Sequence, residues 1–119
     1  DLQNQLSNLS INFNKEILIA ETSYPFTLGW NDWTNNNVGL EEHLILPQYP
    51  ASPQGQKDFI RDVKNLILEV NNGIGFCYWG ADLIAWDGET STNGSTWENQ
   101  AVFDFDNKEL PVLKEFNLD

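Results

Sequence analysis

Two short apolar segments on either side of one long amphipathic helix constrain the fold of this chain more than any other feature. The segments, 16–20 and 74–79, are continuously apolar over most of their length, which is typical of strands buried on both faces. The helix between them is predicted from Ser52, an N-cap residue followed by Pro53, to about Val70. Strands joined through a helix pair in parallel with a right-handed crossover, so the sequence predicts an α/β fold.

Two parallel strands do not complete a sheet, because both outer edges would expose unpaired backbone groups. The flanking segments predict helices only: Leu2, Leu6 and Leu9 form a helical stripe, and Pro111 opens a final helical turn or two. A chain of 119 residues has room for one small domain. We therefore expect a slice of a larger α/β structure, completed by further polypeptide or by self-association.

The charge and the scarcity of Cys and His exclude several classes of function. Six basic against 18 acidic side chains give a net charge of −12, which repels phosphate backbones and argues against nucleic acid as a partner. No apolar run approaches the ~20 residues of a membrane span. One cysteine, Cys77, excludes an internal disulfide and is interpreted as a buried, inert thiol. One histidine, His43, leaves little scope for Ser-His-Asp or Cys-His catalysis.

Five tryptophans and many asparagines are the unusual part of the composition. Flat apolar rings and amide donors complement the faces and hydroxyl groups of sugars. Trp30, Trp33 and Trp86 fall in two irregular stretches, 22–52 and 80–96, which are long for loops in a compact domain. A short extended piece is predicted over 97–105. The composition therefore favours a carbohydrate ligand.

Glu21 ends the first predicted strand and precedes a Pro-containing loop. In parallel barrels the loops after the strands build the active site, so a carboxylate at a strand end faces the pocket. Such a carboxylate can attack the anomeric carbon of a sugar or stabilise its oxocarbenium-like transition state. A solvated acid that only marks the end of a strand is the alternative interpretation.

The segments around Glu21 carry a resemblance to a known family. The matching blocks occur in order along nearly the whole chain: ILIAETSYP (17–25), YPASPQGQ (49–56), GIGFCYW (73–79), GSTWENQAVFDF (94–105) and LP (110–111). Together they resemble glycoside hydrolase family 53, the arabinogalactan endo-β-1,4-galactanases.

The resemblance implies a (β/α)8 TIM barrel of which this chain is the C-terminal part. Residues 1–119 would supply the end of helix six, strand seven, helix seven, strand eight and helix eight of a single catalytic domain. The implied reaction is retaining hydrolysis of internal β-1,4-galactosidic bonds in galactan or arabinogalactan, with Glu21 as nucleophile. The family's acid/base glutamate would lie outside these residues, so the chain alone is expected to be inactive. Glu98 and Asp82 are interpreted as acceptors that fix loops.

The resemblance also assigns sugar-binding roles to aromatic side chains. Trp79 ends the second strand and is expected to stack on the sugar nearest the cleaved bond. Trp97 and Tyr24 are expected to line sugar subsites, although each could pack its own loop instead. Family members often continue the second strand with Glu-Pro, whereas this chain has Gly-Ala-Asp at 80–82, which puts in doubt any polar contact from that Glu.

No cofactor is expected. Bacterial relatives can bind calcium in the loop after strand seven, but the corresponding stretch here, 30–36, holds one acid, Asp32. Calcium prefers six to eight oxygen ligands and usually several carboxylates, so the site is expected to be lost or weakened. The stretch 104–107 is interpreted as a turn.

Two further hypotheses come from other classes of protein. One is a non-catalytic carbohydrate-binding module that uses the loop Trp and Asn residues. The other is a structural slice without a ligand, held together by self-association. If the substrate is galactan or a galacto-oligosaccharide, the size of the polymer places its degradation outside the cell, in a secreted, periplasmic or cell-surface location. No export signal is visible in this sequence.

Overall fold

The computed structural model describes residues 1–44 and 46–117 and confirms the predicted order of elements. Two helices alternate with two strands: α1 (Leu2–Phe13), β1 (Ile17–Thr22), α2 (Pro53–Glu69) and β2 (Gly73–Tyr78). Three short 3₁₀ helices lie in the connections and near the C-terminus, at Glu41–His43, Glu98–Gln100 and Pro111–Phe116. No helix among the described residues is both long and apolar enough to cross a bilayer.

The two strands pair in parallel, as predicted, and their carboxyl ends lie side by side. Ile17 is opposite Gly73 and Thr22 is opposite Tyr78, with two irregularities of register between them. Beyond the last pair, the Trp79 N–H donates to the Thr22 carbonyl oxygen at 2.9 Å. Side chains that follow β1 and β2 therefore share one edge of the sheet.

The prediction that both faces of the strands are buried is wrong for this chain. Leu18 is 48% exposed and Ile74 is 50% exposed, and Cys77 is also exposed. Cys77 is thus not the buried thiol predicted from the sequence. The reason is that α2 packs against both strands but leaves these three side chains outside the area that it buries. Continuous apolar sequence predicts two covered faces but does not say what covers them.

Helix α2 begins where its capping residues predict. The Ser52 hydroxyl oxygen accepts the Gly55 N–H at 3.0 Å, and Pro53 occupies the first turn. Ile60 and Ile67 are fully buried in the core between α2, β2 and the Pro111–Phe116 turn. The buried cluster around Ile60 contains Phe26, Val102, Leu110 and Val112.

The end of α2 and the segment after the second loop differ from the predictions. Helix α2 ends at Glu69, one residue before the predicted Val70, and Asn72 then adopts a left-handed conformation with φ of 61°. Gly73 begins β2, and a larger residue does not fit there, because an added Cβ would overlap the Ile67 carbonyl oxygen and crowd that of Val70. The extended piece predicted over 97–105 is a 3₁₀ turn, followed by one antiparallel bridge between Phe103 and Glu109.

Candidate active site

A cleft of about 290 Å³ opens at the carboxyl ends of the two strands. Glu21 reaches it from the end of β1, Trp79 directly after β2, and Trp97 from the second long loop. Thr22 and Ser23 complete the lining. Three of the four predicted site residues therefore meet in one cavity, although Glu21 is far from the two tryptophans in sequence.

The two tryptophans form an aromatic wall beside an exposed carboxylate. The ring centroids of Trp79 and Trp97 are 4.6 Å apart, with the planes inclined at 74°, which is a favourable edge-to-face arrangement. Both indoles are half-buried, and Glu21 is exposed. An apolar ring surface next to an accessible carboxylate suits a sugar that stacks on the indoles and presents a carbon atom to the acid.

Tyr24 does not reach this cleft. Its side chain is 7% exposed and its ring stacks on Phe59 with centroids 4.5 Å apart. Its hydroxyl donates to the Tyr49 carbonyl oxygen at 2.5 Å, and burial, with the charge of Glu41 adding to it, raises its pKa. In this structure Tyr24 connects the loop after β1 to α2, and its sugar-binding role stays a prediction.

A buried hydrogen-bond network lies directly beneath the cleft. The Gln56 side-chain amide donates to the carbonyl oxygens of Tyr24 at 3.0 Å and Ala101 at 2.9 Å, and to the Tyr78 hydroxyl at 3.1 Å. The Tyr78 hydroxyl donates to the Gln100 carbonyl oxygen at 2.7 Å. Burial raises the pKa of Tyr78 to about 12, so its hydroxyl stays protonated and able to donate at neutral pH.

The role of Glu98 as an acceptor that fixes a loop is confirmed. Glu98 is 1% exposed, and one of its carboxylate oxygens accepts the Asn31 N–H at 2.7 Å. Asp32 is also buried, and accepts the Thr34 N–H at 2.6 Å. The bond from Asn31 to Glu98 joins the loop that follows β1 to the segment that carries Trp97, and the bond from Thr34 to Asp32 lies within that loop. Asp82, the other acid considered, is exposed and does not line the cleft.

Glu98 and Asp32 form a buried acidic pair that sequence reasoning missed. Their second oxygens, Glu98 Oε2 and Asp32 Oδ2, have no hydrogen-bond partner among the described residues, and neither has Asn36 Oδ1. Burial raises the pKa of Glu98, and the negative charge of Asp32 raises it further. A proton on Glu98 would remove one of the two like charges that are buried here.

The residues described do not assemble a metal centre. No group of three or more His, Cys, Asp or Glu side chains within 1–44 and 46–117 is arranged to hold a metal ion. The loop stretch 30–36 contributes Asp32, and the fold adds Glu98 beside it. Two carboxylates, each with one oxygen already bonded to a backbone N–H, fall short of the set of ligands that calcium prefers.

Three loop tryptophans remain outside the cleft. Trp30, Trp33 and Trp86 are 53%, 64% and 70% exposed, so none is packed into a core. The Trp33 backbone is nevertheless fixed, since its N–H donates to the Ser91 carbonyl oxygen at 2.9 Å. The two long loops are therefore joined to one another while their indoles stay accessible.

Comparison with known proteins identifies the family of this chain. The model of glycosyl hydrolase family 53 matches residues 1–116. An arabinogalactan endo-β-1,4-galactanase from Cellvibrio japonicus is 32% identical over 99% of this chain and 31% of its own length. An endo-β-1,4-galactanase from Bacillus subtilis is 28% identical over 98% of this chain and 34% of its own length.

Solved structures show the same relationship. The family 53 catalytic domain of Ignisphaera aggregans superposes with a TM-score of 0.85 at 39% identity, covering 98% of this chain and 33% of that chain. A chain from a structure of two fungal β-1,4-galactanases superposes with a TM-score of 0.66 at 28% identity, covering 99% and 32%. This chain thus spans about a third of the length of the relatives it matches.

The chain therefore holds a strand-end carboxylate and two paired indoles in one cleft, on a parallel α/β unit that superposes on a family 53 catalytic domain. The catalytic domains that it matches are TIM barrels. The chain belongs to glycosyl hydrolase family 53.

Proposed function

We propose that this chain is the C-terminal part of the catalytic barrel of an endo-β-1,4-galactanase. The proposed reaction is retaining hydrolysis of internal β-1,4-galactosidic bonds in galactan or arabinogalactan, with Glu21 as nucleophile. One observation carries the proposal: Glu21, at the carboxyl end of β1, shares a cleft of about 290 Å³ with Trp79 and Trp97. The galactanases among the relatives support the choice of substrate.

In this assignment the elements occupy the last third of the barrel. Helix α1 is the end of helix six, β1 is strand seven, α2 is helix seven, β2 is strand eight and Pro111–Phe116 is helix eight. The parallel pairing of β1 with β2 and the 33% coverage of the Ignisphaera domain support this arrangement. Residues 1–119 then belong to a single catalytic domain, and the remaining strands come from polypeptide outside this sequence.

The proposed mechanism needs two carboxyl groups about 5–5.5 Å apart. The Glu21 carboxylate attacks the anomeric carbon, and the bond from that carbon to the leaving oxygen breaks while a second carboxylic acid protonates this oxygen. The resulting galactosyl ester on Glu21 is cleaved by water, which the second carboxylate deprotonates, and the anomeric configuration is retained. We assign the second carboxyl to the missing part of the barrel, so this chain alone should not turn over galactan.

The paired indoles orient the substrate for this attack. A galactopyranose ring has an apolar C–H patch that packs against an aromatic face, leaving the hydroxyl groups for polar neighbours. Stacking on Trp79 and Trp97 would hold the anomeric carbon near the Glu21 carboxylate. Orienting the two reacting groups in this way accelerates the reaction by more than the stacking energy alone. The proposed mechanism uses no metal or organic cofactor. Because the substrate is a large polymer, we also propose a location outside the cytoplasm.

The experiment that tests the proposal uses the full-length protein that carries this chain. Glu21→Gln should lower kcat on galactan by about 10³-fold or more. Glu16→Gln, which changes an exposed acid just before the same strand, is the matched control and should leave kcat unchanged. For Glu21→Ala, added azide should restore bond cleavage and give the α-galactosyl azide, because azide replaces the nucleophile on the same face. Unchanged turnover in Glu21→Gln would refute the assignment.

A carbohydrate-binding module without catalysis is the second candidate, and the exposed Trp30, Trp33 and Trp86 favour it. This function predicts that the full-length protein retains its affinity for galactan in Glu21→Gln and loses it when the three loop tryptophans become alanine. Retained affinity together with unaffected hydrolysis in Glu21→Gln would favour the module over the nucleophile.

A further inference from the structure

The polar network under the cleft converges on one side chain, Gln56 of α2. This residue is fully buried, with a relative exposure of 0%. All three partners of its amide group can accept: the carbonyl oxygens of Tyr24 and Ala101 and the hydroxyl of Tyr78. Carbonyl oxygens only accept, so these partners fix the amide with its N–H groups toward them.

Each of these partners belongs to a segment that builds one wall of the cleft. Tyr24 lies in the turn directly after Glu21, and Tyr78 is the residue before Trp79. Ala101 follows the 3₁₀ turn Glu98–Gln100, which comes directly after Trp97. Two more bonds strengthen the same junction, because Ser23 Oγ donates to Gln100 Oε1 at 2.7 Å and the Tyr78 hydroxyl donates to the Gln100 carbonyl oxygen at 2.7 Å.

The Gln56 side chain forms hydrogen bonds through its N–H groups and not through its oxygen. Gln56 Oε1 is buried and has no hydrogen-bond partner among the described residues. An unsatisfied buried acceptor is unfavourable, and an apolar side chain of the same size would avoid it. The sequence places Gln56 one helical turn before the fully buried Ile60, a position at which the helical pattern would otherwise favour an apolar residue.

We propose that Gln56 is a positioning residue that sets the distance between the Glu21 carboxylate and the Trp79–Trp97 wall. It joins the three segments that carry these side chains and touches no substrate, since it is buried beneath them. The inference rests on the proposed function, because the catalytic consequence presupposes that Glu21 is the nucleophile. Rates of this kind are sensitive to displacements of about 1 Å, which cost about 10²-fold.

The test compares Gln56→Leu with Gln54→Leu in the full-length protein. Gln54 lies on the exposed side of the same helix and bonds only to Asp58 at 2.9 Å, so it is the matched control. Gln56→Leu should lower kcat on galactan by about 10²-fold with KM changed less than about threefold. Gln54→Leu should leave both within about twofold of the parent values.

A conservative variant separates positioning from packing. Gln56→Glu keeps the size of the side chain, but its carboxylate form donates no hydrogen bond, whereas its protonated form donates one. The ratio of its kcat to that of the parent should therefore rise several-fold between pH 8 and pH 5. A ratio that stays constant across this range would overturn the proposal, and so would parental kcat in a folded Gln56→Leu variant.

A spectroscopic measurement makes the result independent of turnover. The near-ultraviolet circular dichroism of the Trp79–Trp97 pair is obtained as the change that Trp97→Phe produces. This contribution should fall at least twofold in Gln56→Leu and persist in Gln54→Leu. If Glu21→Gln retains activity, the nucleophile assignment fails, while the dichroism still decides whether Gln56 sets the geometry. If Gln56→Leu does not fold, the same measurements on Gln56→Glu and Tyr78→Phe decide whether the network around Gln56 sets the geometry of the cleft.

Discussion

Replacing Gly55 by alanine reverses the effect that helix propensity predicts. Gly55 lies in the first turn of α2, where alanine would on propensity alone stabilise the helix by up to about 1 kcal/mol. In the structure, however, a Cβ on Gly55 would lie 3.0 Å from the carbonyl carbon of Pro50 and 3.1 Å from its ring Cδ, and would overlap its carbonyl oxygen. These atoms are backbone and ring atoms, so no flexible side chain can move aside.

The expected magnitude follows from these opposing effects. Inserting a methyl group into a closely packed site costs about 1–3 kcal/mol, and here the site must move the chain at Pro50. The neighbouring Tyr49 carbonyl accepts the Tyr24 hydroxyl, so this displacement also loosens the turn after β1. Because the added Cβ overlaps the Pro50 carbonyl oxygen, we expect a cost in the upper part of this range, about 2–3 kcal/mol. Subtracting a gain in propensity of about 1 kcal/mol, we expect Gly55→Ala to lower the free energy of unfolding by about 1–2 kcal/mol.

Urea unfolding followed by tryptophan fluorescence measures this difference. Gln54→Ala, one residue earlier on the exposed side of the same turn, is the control and should change the free energy by less than about 0.5 kcal/mol. A Gly55→Ala protein as stable as the parent, or more stable, would refute the reasoning. It would mean that Pro50 yields without cost and that propensity decides the outcome.

Three further predictions concern the helix cap, the acidic pair and the aromatic wall. Ser52→Ala removes the acceptor of the Gly55 N–H and should lower the free energy of unfolding by about 1 kcal/mol, measured by urea unfolding. Because burial raises the folded-state pKa of Glu98 above its unfolded value, the folded chain retains a proton that the unfolded chain releases. The free energy of unfolding should therefore fall as the pH rises through the folded-state pKa of Glu98. Glu98→Gln should flatten this decline, which melting temperatures measured at a series of pH values would show. A melting temperature of the parent protein that rises when calcium is added would contradict the explanation by a proton. Trp97→Ala should weaken binding of a galacto-oligosaccharide to the full-length Glu21→Gln protein by about 0.5–1.5 kcal/mol in calorimetry, and unchanged affinity would exclude Trp97 from the sugar site.

Local signals explain what the sequence predicted correctly. The start of α2 follows from Ser52 and Pro53, whose capping chemistry acts within one turn. The meeting of Glu21 with Trp79 follows from parallel pairing, because residues that end neighbouring parallel strands share an edge. Trp97 reached the prediction by resemblance alone, since no periodicity or spacing connects it to the strands.

Contacts between distant segments explain what the sequence did not predict. Glu98, Asn99 and Gln100 form a buried 3₁₀ turn because their side chains bond to residues far away in sequence. The prediction of an extended segment over 97–105 used local residues only and therefore missed these bonds. Gln56 could have been noticed as a polar residue at helical spacing from Ile60. The sequence does not indicate its three hydrogen-bond partners, because they come from three separate segments.

This chain forms part of the proposed active site by itself, and the proposed function assigns the rest of the site to polypeptide outside this sequence. The support beneath the cleft is built within this chain, since Gln56 and Tyr78 donate to the carbonyl oxygens of Tyr24, Ala101 and Gln100. Leu18 and Ile74 of the two strands stay about half exposed, and the proposed function assigns the second catalytic carboxyl to polypeptide outside this sequence. A second copy of this chain would cover apolar surface but would bring another Glu21, a nucleophile in place of an acid/base. The remaining barrel strands would satisfy both needs at once, so we expect full-length protein, and not an assembly of this chain alone, to hydrolyse galactan.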